Sequence, residues 1–214
     1  MWETLSPSWQ ACLEEAWAAY CAGSVPIGAV VTDGNGQILA RGRNHSGDSG
    51  PAPVHSHTLA HAEVNALLAL DSDHADPHTC ILYTSCEPCP LCFGAFYMSG
   101  LRELRYASRD PFAGSVNLLG RTPYLSRKPI RVFGPERADL ETILFALHTE
   151  FTLRDSGERY RHVLDMWAAV VPEGVRLGEK IFREGRLRRM REAGASAAEV
   201  VEALSAGVNG WGNG

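Results

Sequence analysis

Apolar positions along the chain change their period several times, and each change marks an element. Leu13, Ala16, Trp17 and Tyr20 repeat at i, i+3, i+4 and i+7, which predicts a helix over 6–20. Ser6 is its expected cap, Pro7 suits the first helical position, and Gly23 can end it. Val25 to Val31 and Gln37 to Arg43 read as strands around Asp33-Gly34-Asn35-Gly36, a hairpin turn signal. A polar loop rich in Gly and Pro runs from Asn44 to about Ser56. The spacing of Leu59, Ala62, Ala66 and Ala69 predicts a helix over 58–70. Thr79 to Thr84 is a near-continuous apolar strand, and Cys89 to Met98 reads as a helix entered through Pro88 and closed near Gly100. Glu103 to Ala107 and Pro129 to Phe133 complete a set of five strands. Asp110 to Thr122 between them is a loop with room for one helical turn, and Pro135 opens a long helix ending near Leu153.

Beyond Asp155 the pattern is helical only, with expected helices over 158–171, 172–191 and 196–204. Leu164, Trp167, Ala168 and Val171 form an apolar stripe, and Val175, Ile181 and Phe182 extend it. A helix with such a stripe must bury it. The end, Gly207 to Gly214, is rich in Gly and Asn and is expected to fray. Strands alternating with helices after an initial hairpin imply an α/β fold: a three-layer α/β/α sandwich on a mixed sheet, with an all-helical C-terminal extension. The shift in pattern divides the chain into 1–154 and 155–214.

Composition narrows the classes. The chain has 214 residues, 45% hydrophobic and 21% charged, enough for a core without disulfide staples. Its net charge of −5 offers no global attraction to nucleic acid or anionic membrane. No apolar run reaches the length of a membrane span, and Met1-Trp2-Glu3-Thr4 lacks the basic start of a secretory signal, so a cytoplasmic location is expected.

The candidate chemistry lies in His61-Ala62-Glu63 and Pro88-Cys89-Pro90-Leu91-Cys92. Cys86, Cys89 and Cys92 share one seven-residue stretch, whereas Cys12, Cys21 and Cys80 are scattered among apolar residues and read as small core side chains. Cys89 and Cys92, at i and i+3 in the first turn of a helix, share a face, and the helix N-terminus favours thiolate. His61 can add a third zinc ligand, leaving one position for water, as in catalytic sites. Glu63 stands two residues on, placed to take a proton from that water and return protons to a ring nitrogen and a leaving amine. A structural zinc would need a fourth protein ligand, for which Cys86, His55 or His57 are the candidates. Otherwise His45, His55, His57, His74, His78, His148 and His162 each read as solvated side chains.

His-Ala-Glu followed by Pro-Cys-x-x-Cys resembles the signature of the zinc nucleobase deaminases. From about Leu5 to Leu153 the chain resembles the cytidine and deoxycytidylate deaminase superfamily. It is most similar to the branch of guanine deaminases and tRNA adenosine deaminases. Val25-Pro-Ile-Gly-Ala-Val-Val31, Asn44, His61-Ala-Glu-Val-Asn65 and Leu82-Tyr-Thr-Ser-Cys-Glu-Pro-Cys-Pro-Leu-Cys92 carry the likeness. It implies a five-stranded mixed sheet flanked by helices, zinc on His61, Cys89 and Cys92, and Glu63 as proton shuttle. It further implies Asn44 hydrogen-bonded to the base, Cys86 as a non-ligand, and a homodimer with sites near the subunit interface. The long loop before His61 and the tail after Leu153 depart from the pattern.

Three functions follow as expectations. The first is hydrolytic deamination of a nucleobase or nucleoside, guanine before adenine or cytosine. The second is deamination of adenosine in tRNA. The third is a zinc-stabilised binding module without chemistry, which gives Glu63 no role. Residues 1–150 carry 10 basic and 16 acidic side chains, unlike a typical RNA-binding surface. Arg183, Arg186, Arg188, Arg189 and Arg191 are the exception, and the interleaved Glu179, Glu184 and Glu192 predict a salt-bridged exposed helix.

Overall fold

Alternating side chains assign the two faces of the central sheet. The computed structural model describes residues 1–71, 73 and 75–209. Its strands are β1 (Gly28–Thr32), β2 (Ile38–Arg43), β3 (Ile81–Cys86), β4 (Glu103–Ser108) and β5 (Arg131–Phe133), in the order β2-β1-β3-β4-β5. β1 pairs antiparallel with β2 and β3, whereas β3–β4 and β4–β5 are parallel. Val30, Tyr83 and Ala107 join one core with helices α1 (Pro7–Cys21) and α4 (Ala138–Ser156). Ala29, Val31, Leu82 and Leu104 join the opposite core with α2 (Ala62–Ala69) and α3 (Pro90–Ser99). The expected three-layer sandwich on a five-stranded mixed sheet is therefore the fold.

Local chemistry shifts several expected boundaries. Ser6 caps α1, its Oγ accepting from Trp9 N at 3.4 Å. In the β1–β2 turn Asp33 Oδ1 accepts from Asn35 N and Gln37 N, and Gly36 takes a φ of +86°. Residues 58–61 are not helical: Ala60 N bonds back to His57 O, His61 is extended, and α2 starts only at Ala62. Likewise Cys89 is extended and α3 starts at Pro90, closing on left-handed Gly100. The helix expected from Pro135 starts at Ala138, because Arg137 before it is extended. Gly185, at a φ of +60°, breaks the single helix expected over 172–191 into α6 (Pro172–Glu184) and α7 (Arg186–Glu192).

The remaining helices are α5 (Arg161–Ala168) and α8 (Ala197–Asn209). Leu164, Trp167, Val171 and Val175 bury against Phe145 of α4, and Leu177 and Ile181 join the α1 core. Phe182 is exposed, so the expected stripe ends at Ile181. The expected salt-bridged arginine face does not form. Glu179 pairs with Arg161 instead, and none of the five arginines from Arg183 to Arg191 has an ion-pair partner among the described residues. Cys12 and Cys80 are buried as expected, but Cys21 is exposed. His45 and His148 are enclosed rather than solvated: His45 Nδ1 meets Asp48 Oδ1 at 2.9 Å, and His148 stacks on Trp167. No helix among the described residues is long and apolar enough to cross a membrane. The expectations for His74 and for the last residues, 210–214, lie outside the described residues.

α4 and α6 meet closely because α6 presents Gly174 and Gly178, one turn apart. A Cβ on Gly178 would stand 2.4 Å from Thr149 Cβ, and one on Gly174 2.5 Å from Phe145 Cβ. Gly178→Ala should therefore destabilise the protein by about 1–3 kcal/mol through overpacking, despite the better helix propensity of alanine. Denaturant unfolding of the intact chain measures this, and a gain in stability would show that α4 and α6 are not held this close.

Candidate functional site

Two helix N-termini converge on the sheet, and the residue ahead of each helix is a candidate ligand. His61 precedes α2 and Cys89 precedes α3, both in extended conformation, with Cys92 in the first turn of α3. His61 Nδ1 lies 3.5 Å from Cys89 Sγ and 3.3 Å from Cys92 Sγ. The three donor atoms lie within 4.8 Å of one another and form the one such metal-capable group among the described residues. A tetrahedral zinc with ordinary bond lengths separates nitrogen and sulfur ligands by about 3.6 Å. The donor set and its spacing thus fit zinc. Cys86, His55 and His57 do not join the cluster, so no fourth protein ligand completes it among the described residues.

The positions follow from close backbone approach. Gly42 of β2 lies against α2, where a Cβ would stand 2.3 Å from Ala66 N and 2.5 Å from Ala62 O. This contact presses α2 onto the sheet and fixes where its first turn points. Asn65 ties the same helix to the long loop: its Oδ1 accepts from Val54 N, and its Nδ2 donates to Arg43 O and Val54 O. The loop closes around Asp48, whose carboxylate takes both Arg43 guanidinium nitrogens, Ser24 Oγ and Gly50 N. Burial opposes ionisation of Asp48, but the bonds from Arg43, Ser24 and Gly50 hold its carboxyl well below the usual range.

Glu63 is 3% exposed and sits beside the cluster. Its Oε1 accepts from Thr84 Oγ1 at 3.2 Å and its Oε2 from Cys92 Sγ at 3.2 Å. Burial pushes its carboxyl pKa up, against the lowering effect of its hydrogen bonds. The hydrogen bond with Cys92, then that with His61, holds the Cys89 thiol down to about 4, despite burial acting the other way. The pair thus favours thiolate, the form that binds metal, on Cys89, while the same contact and burial push the Cys92 thiol up. The hydrogen bond with Cys89 also pushes His61 up.

Asn44 follows β2 and is buried. Its Oδ1 accepts from Ser46 N and Ser46 Oγ, while its Nδ2 has no partner among the described residues. Its turn role and an available donor coexist. Sequence reasoning missed Thr84, which anchors Glu63, and Asp48 and Asn65, which shape the loop. Single polar residues in a strand, a loop or a helix carry no spacing that betrays such roles.

Replacing Cys89 with Ser should cut bound zinc from about one per chain to well below half, because a hydroxyl is a far weaker zinc ligand than a thiolate. Elemental analysis of purified protein checks this. Undiminished zinc in Cys89→Ser would place the ion elsewhere.

The comparisons agree with this arrangement. The family described as "Cytidine and deoxycytidylate deaminase zinc-binding region" matches residues 3–108. The guanine deaminase of Bacillus subtilis is 40% identical over 95 residues, 42% of this chain and 55% of that protein. The chain thus spans about half the length of that relative. A tRNA-specific adenosine deaminase of Rickettsia bellii is 30% identical over 105 residues, 49% of this chain and 70% of that protein. The solved structure of a guanine deaminase from Nitrosomonas europaea matches with a TM-score of 0.53 and 29% identity, covering 68% of this chain and 84% of that one. With its His61-Ala-Glu63 and Cys89-Pro-Leu-Cys92 segments folded into one metal-capable cluster, the chain belongs to the cytidine and deoxycytidylate deaminase family and carries that family's zinc-binding region.

Proposed function

We propose that the protein catalyses hydrolytic deamination of a nucleobase or nucleoside, with guanine the first candidate and adenine or cytosine next. The observation that carries this reading is Glu63, a buried carboxyl 3.2 Å from a sulfur of a three-donor metal cluster. A purely structural zinc site would need a fourth protein ligand and would have no use for that carboxyl. This counts against the binding-module reading. Guanine comes first because the Bacillus relative and the Nitrosomonas structure are guanine deaminases.

In this reading His61, Cys89 and Cys92 would hold zinc, which would supply the acidification of a water to a pKa of about 7. Glu63 would take the two protons of the attacking water in turn through Oε2, while Thr84 holds Oε1. Burial keeps the carboxyl basic enough to take the proton. Glu63 would pass the first to the ring nitrogen and the second, released from the oxygen once it is on the ring carbon, to the departing amine. The water oxygen ends on the ring carbon, the carbon–nitrogen bond breaks, and ammonia leaves. Asn44, with its free Nδ2, holds the base in the plane that this transfer needs. The boundary of the deaminase domain falls near residue 154, with α5 to α8 as an extension.

A second reading, adenosine in tRNA as substrate, has one observation in its favour: the five arginines between Arg183 and Arg191 have no ion-pair partners among the described residues. Unpaired arginines suit phosphate contacts. Ammonia release across guanine, adenine, cytosine, their nucleosides and an anticodon stem-loop separates the two readings.

The same proposal includes a homodimer. Leu68 and Met98 are 59% and 65% exposed, and they line an apolar cavity of about 480 Å³ between α2 and α3 with Val64, Leu67 and Pro77. Leu68→Asp with Met98→Asp should convert a dimer into monomer, as read by light scattering after size exclusion. A wild-type monomer at micromolar concentration would remove the dimer from the proposal.

Glu63→Gln tests the chemistry directly. It keeps size and hydrogen bonding but removes the base, so zinc should stay bound while turnover falls by at least about 10²-fold. Near-normal turnover in Glu63→Gln would overturn the mechanism.

A further inference from the structure

The loop that follows β4 is tied to the metal-ligand turn on one side and to the C-terminal helices on the other. On the first side, Glu87 Oε2 accepts from Asp110 N at 3.2 Å, and Ser115 N donates to the carbonyl of Pro88 at 2.9 Å, directly ahead of Cys89. Gly114 lies so close over Glu87 that a Cβ there would stand 2.4 Å from Glu87 Cδ. The loop therefore lies directly on the turn that carries Cys89.

On the other side, Asp110 folds the loop on itself and reaches the extension. Its Oδ1 accepts from Phe112 N at 3.0 Å, Ala113 N at 3.2 Å and Trp167 Nε1 at 3.3 Å. Trp167 belongs to α5 and is itself fixed: it is 8% exposed, edge-on to Phe145 at 5.8 Å and stacked on His148 at 5.7 Å. A second α5 residue contacts the same loop, His162 meeting Phe112 edge-on at 5.9 Å. Phe112 remains 51% exposed, an aromatic surface two residues from Asp110. The start of the loop is held separately, with Arg109 paired to Glu141 of α4 through both its guanidinium and its backbone N–H.

We propose that Trp167 is a positioning residue for the deaminase site: through Asp110 it holds the Asp110–Ser115 loop as an aromatic rim beside the metal centre, against which a planar nucleobase binds. The extension thereby acts on substrate affinity in the same chain. An indole N–H is the only donor that Trp167 offers, so the device has one removable part. Stacking on an aromatic rim suits any base, because every base has a π-face. The proposal rests on the deaminase reading for its substrate, but not for the loop's attachment.

Trp167→Phe in the full, zinc-loaded chain tests it. The Nε1–H is lost while an aromatic ring is kept toward Phe145 and His148, and exchange in α4 and α5 serves as the control for the smaller ring. Hydrogen exchange should accelerate in the peptide covering 110–115 and stay unchanged in α2 and α3. The KM for the best base of the ammonia panel should rise about 3- to 10-fold, the scale of one ordinary hydrogen bond, with kcat and zinc content held within twofold. Unchanged exchange in 110–115 overturns the proposal, as does faster exchange with an unchanged KM. A fall in kcat with lost zinc also overturns it, since that marks general damage to the metal turn. If the wild type releases no ammonia from any base, the deaminase reading fails, and the exchange result alone decides whether Trp167 holds the loop. Should Trp167→Phe not fold, His162→Ala at its exposed position decides: faster exchange at Phe112 supports the rim, and unchanged exchange overturns it.

Discussion

Burying a carboxyl group beside three candidate metal ligands, two of them thiols, is the constraint on which the rest of this structure depends. An unpaired carboxylate in an apolar interior is costly, and one next to thiolate is costlier. Glu63 is tolerated because Thr84 and Cys92 each give one of its oxygens a hydrogen bond. A divalent cation on the adjacent donors would reverse the local electrostatics and favour the ionised carboxylate. Everything around the site serves that compromise. α2 must lie close to the sheet for Glu63 to reach Thr84 of β3, which is why β2 carries Gly42. α3 must begin at the same level, which its first-turn Pro90 and the strand–turn run Ser85–Cys89 enforce.

The two ligand-bearing turns share a logic. Each ligand ahead of a helix sits in extended backbone, so its side chain projects past the helix end rather than along its flank. The free N–H groups of that end then face the cluster and stabilise negative charge on sulfur. Cys92, three residues on in the first turn of α3, brings its sulfur to the same cluster from inside the helix.

Much of this was legible in the residues. The alternation of strands with helices predicted the sandwich, and the His-x-Glu and Cys-x-x-Cys spacings predicted which side chains would meet. Less legible were the caps. Leu59 and Ala62 share helical spacing, but the His57–Ala60 turn wins before the helix starts, and Leu59 is left half exposed. Gly185 was hidden inside an amphipathic run, because a glycine lowers helix propensity without saying whether it breaks the helix. His148 read as solvated since nothing local shows that Trp167, nineteen residues on, stacks over it. The arginine face failed for a similar reason: Glu179 had a distant partner, Arg161, that i, i+4 reasoning does not see. In each case the deciding contact is long-range or depends on φ, and neither is written in hydrophobic period.

The same long-range packing determines what the C-terminal helices can do. α6 meets α4 through Gly174 and Gly178, so their backbones approach closely and leave little room for sliding. α4 carries Glu141, which fixes Arg109, and Phe145, which fixes Trp167. Arg109 and Asp110 are neighbours, and both are held from the helical side of the molecule while Glu87 holds Asp110 from the metal side. A loop clamped in this way loses little further entropy when a ligand settles against it, and preorganisation of this kind raises affinity without adding a contact. An extension that only covered apolar surface would need the stripe of Leu164, Val171 and Val175 and nothing more. The indole N–H aimed at Asp110 goes beyond what covering requires, and it meets the loop whose Ser115 N–H bonds to Pro88, directly ahead of Cys89.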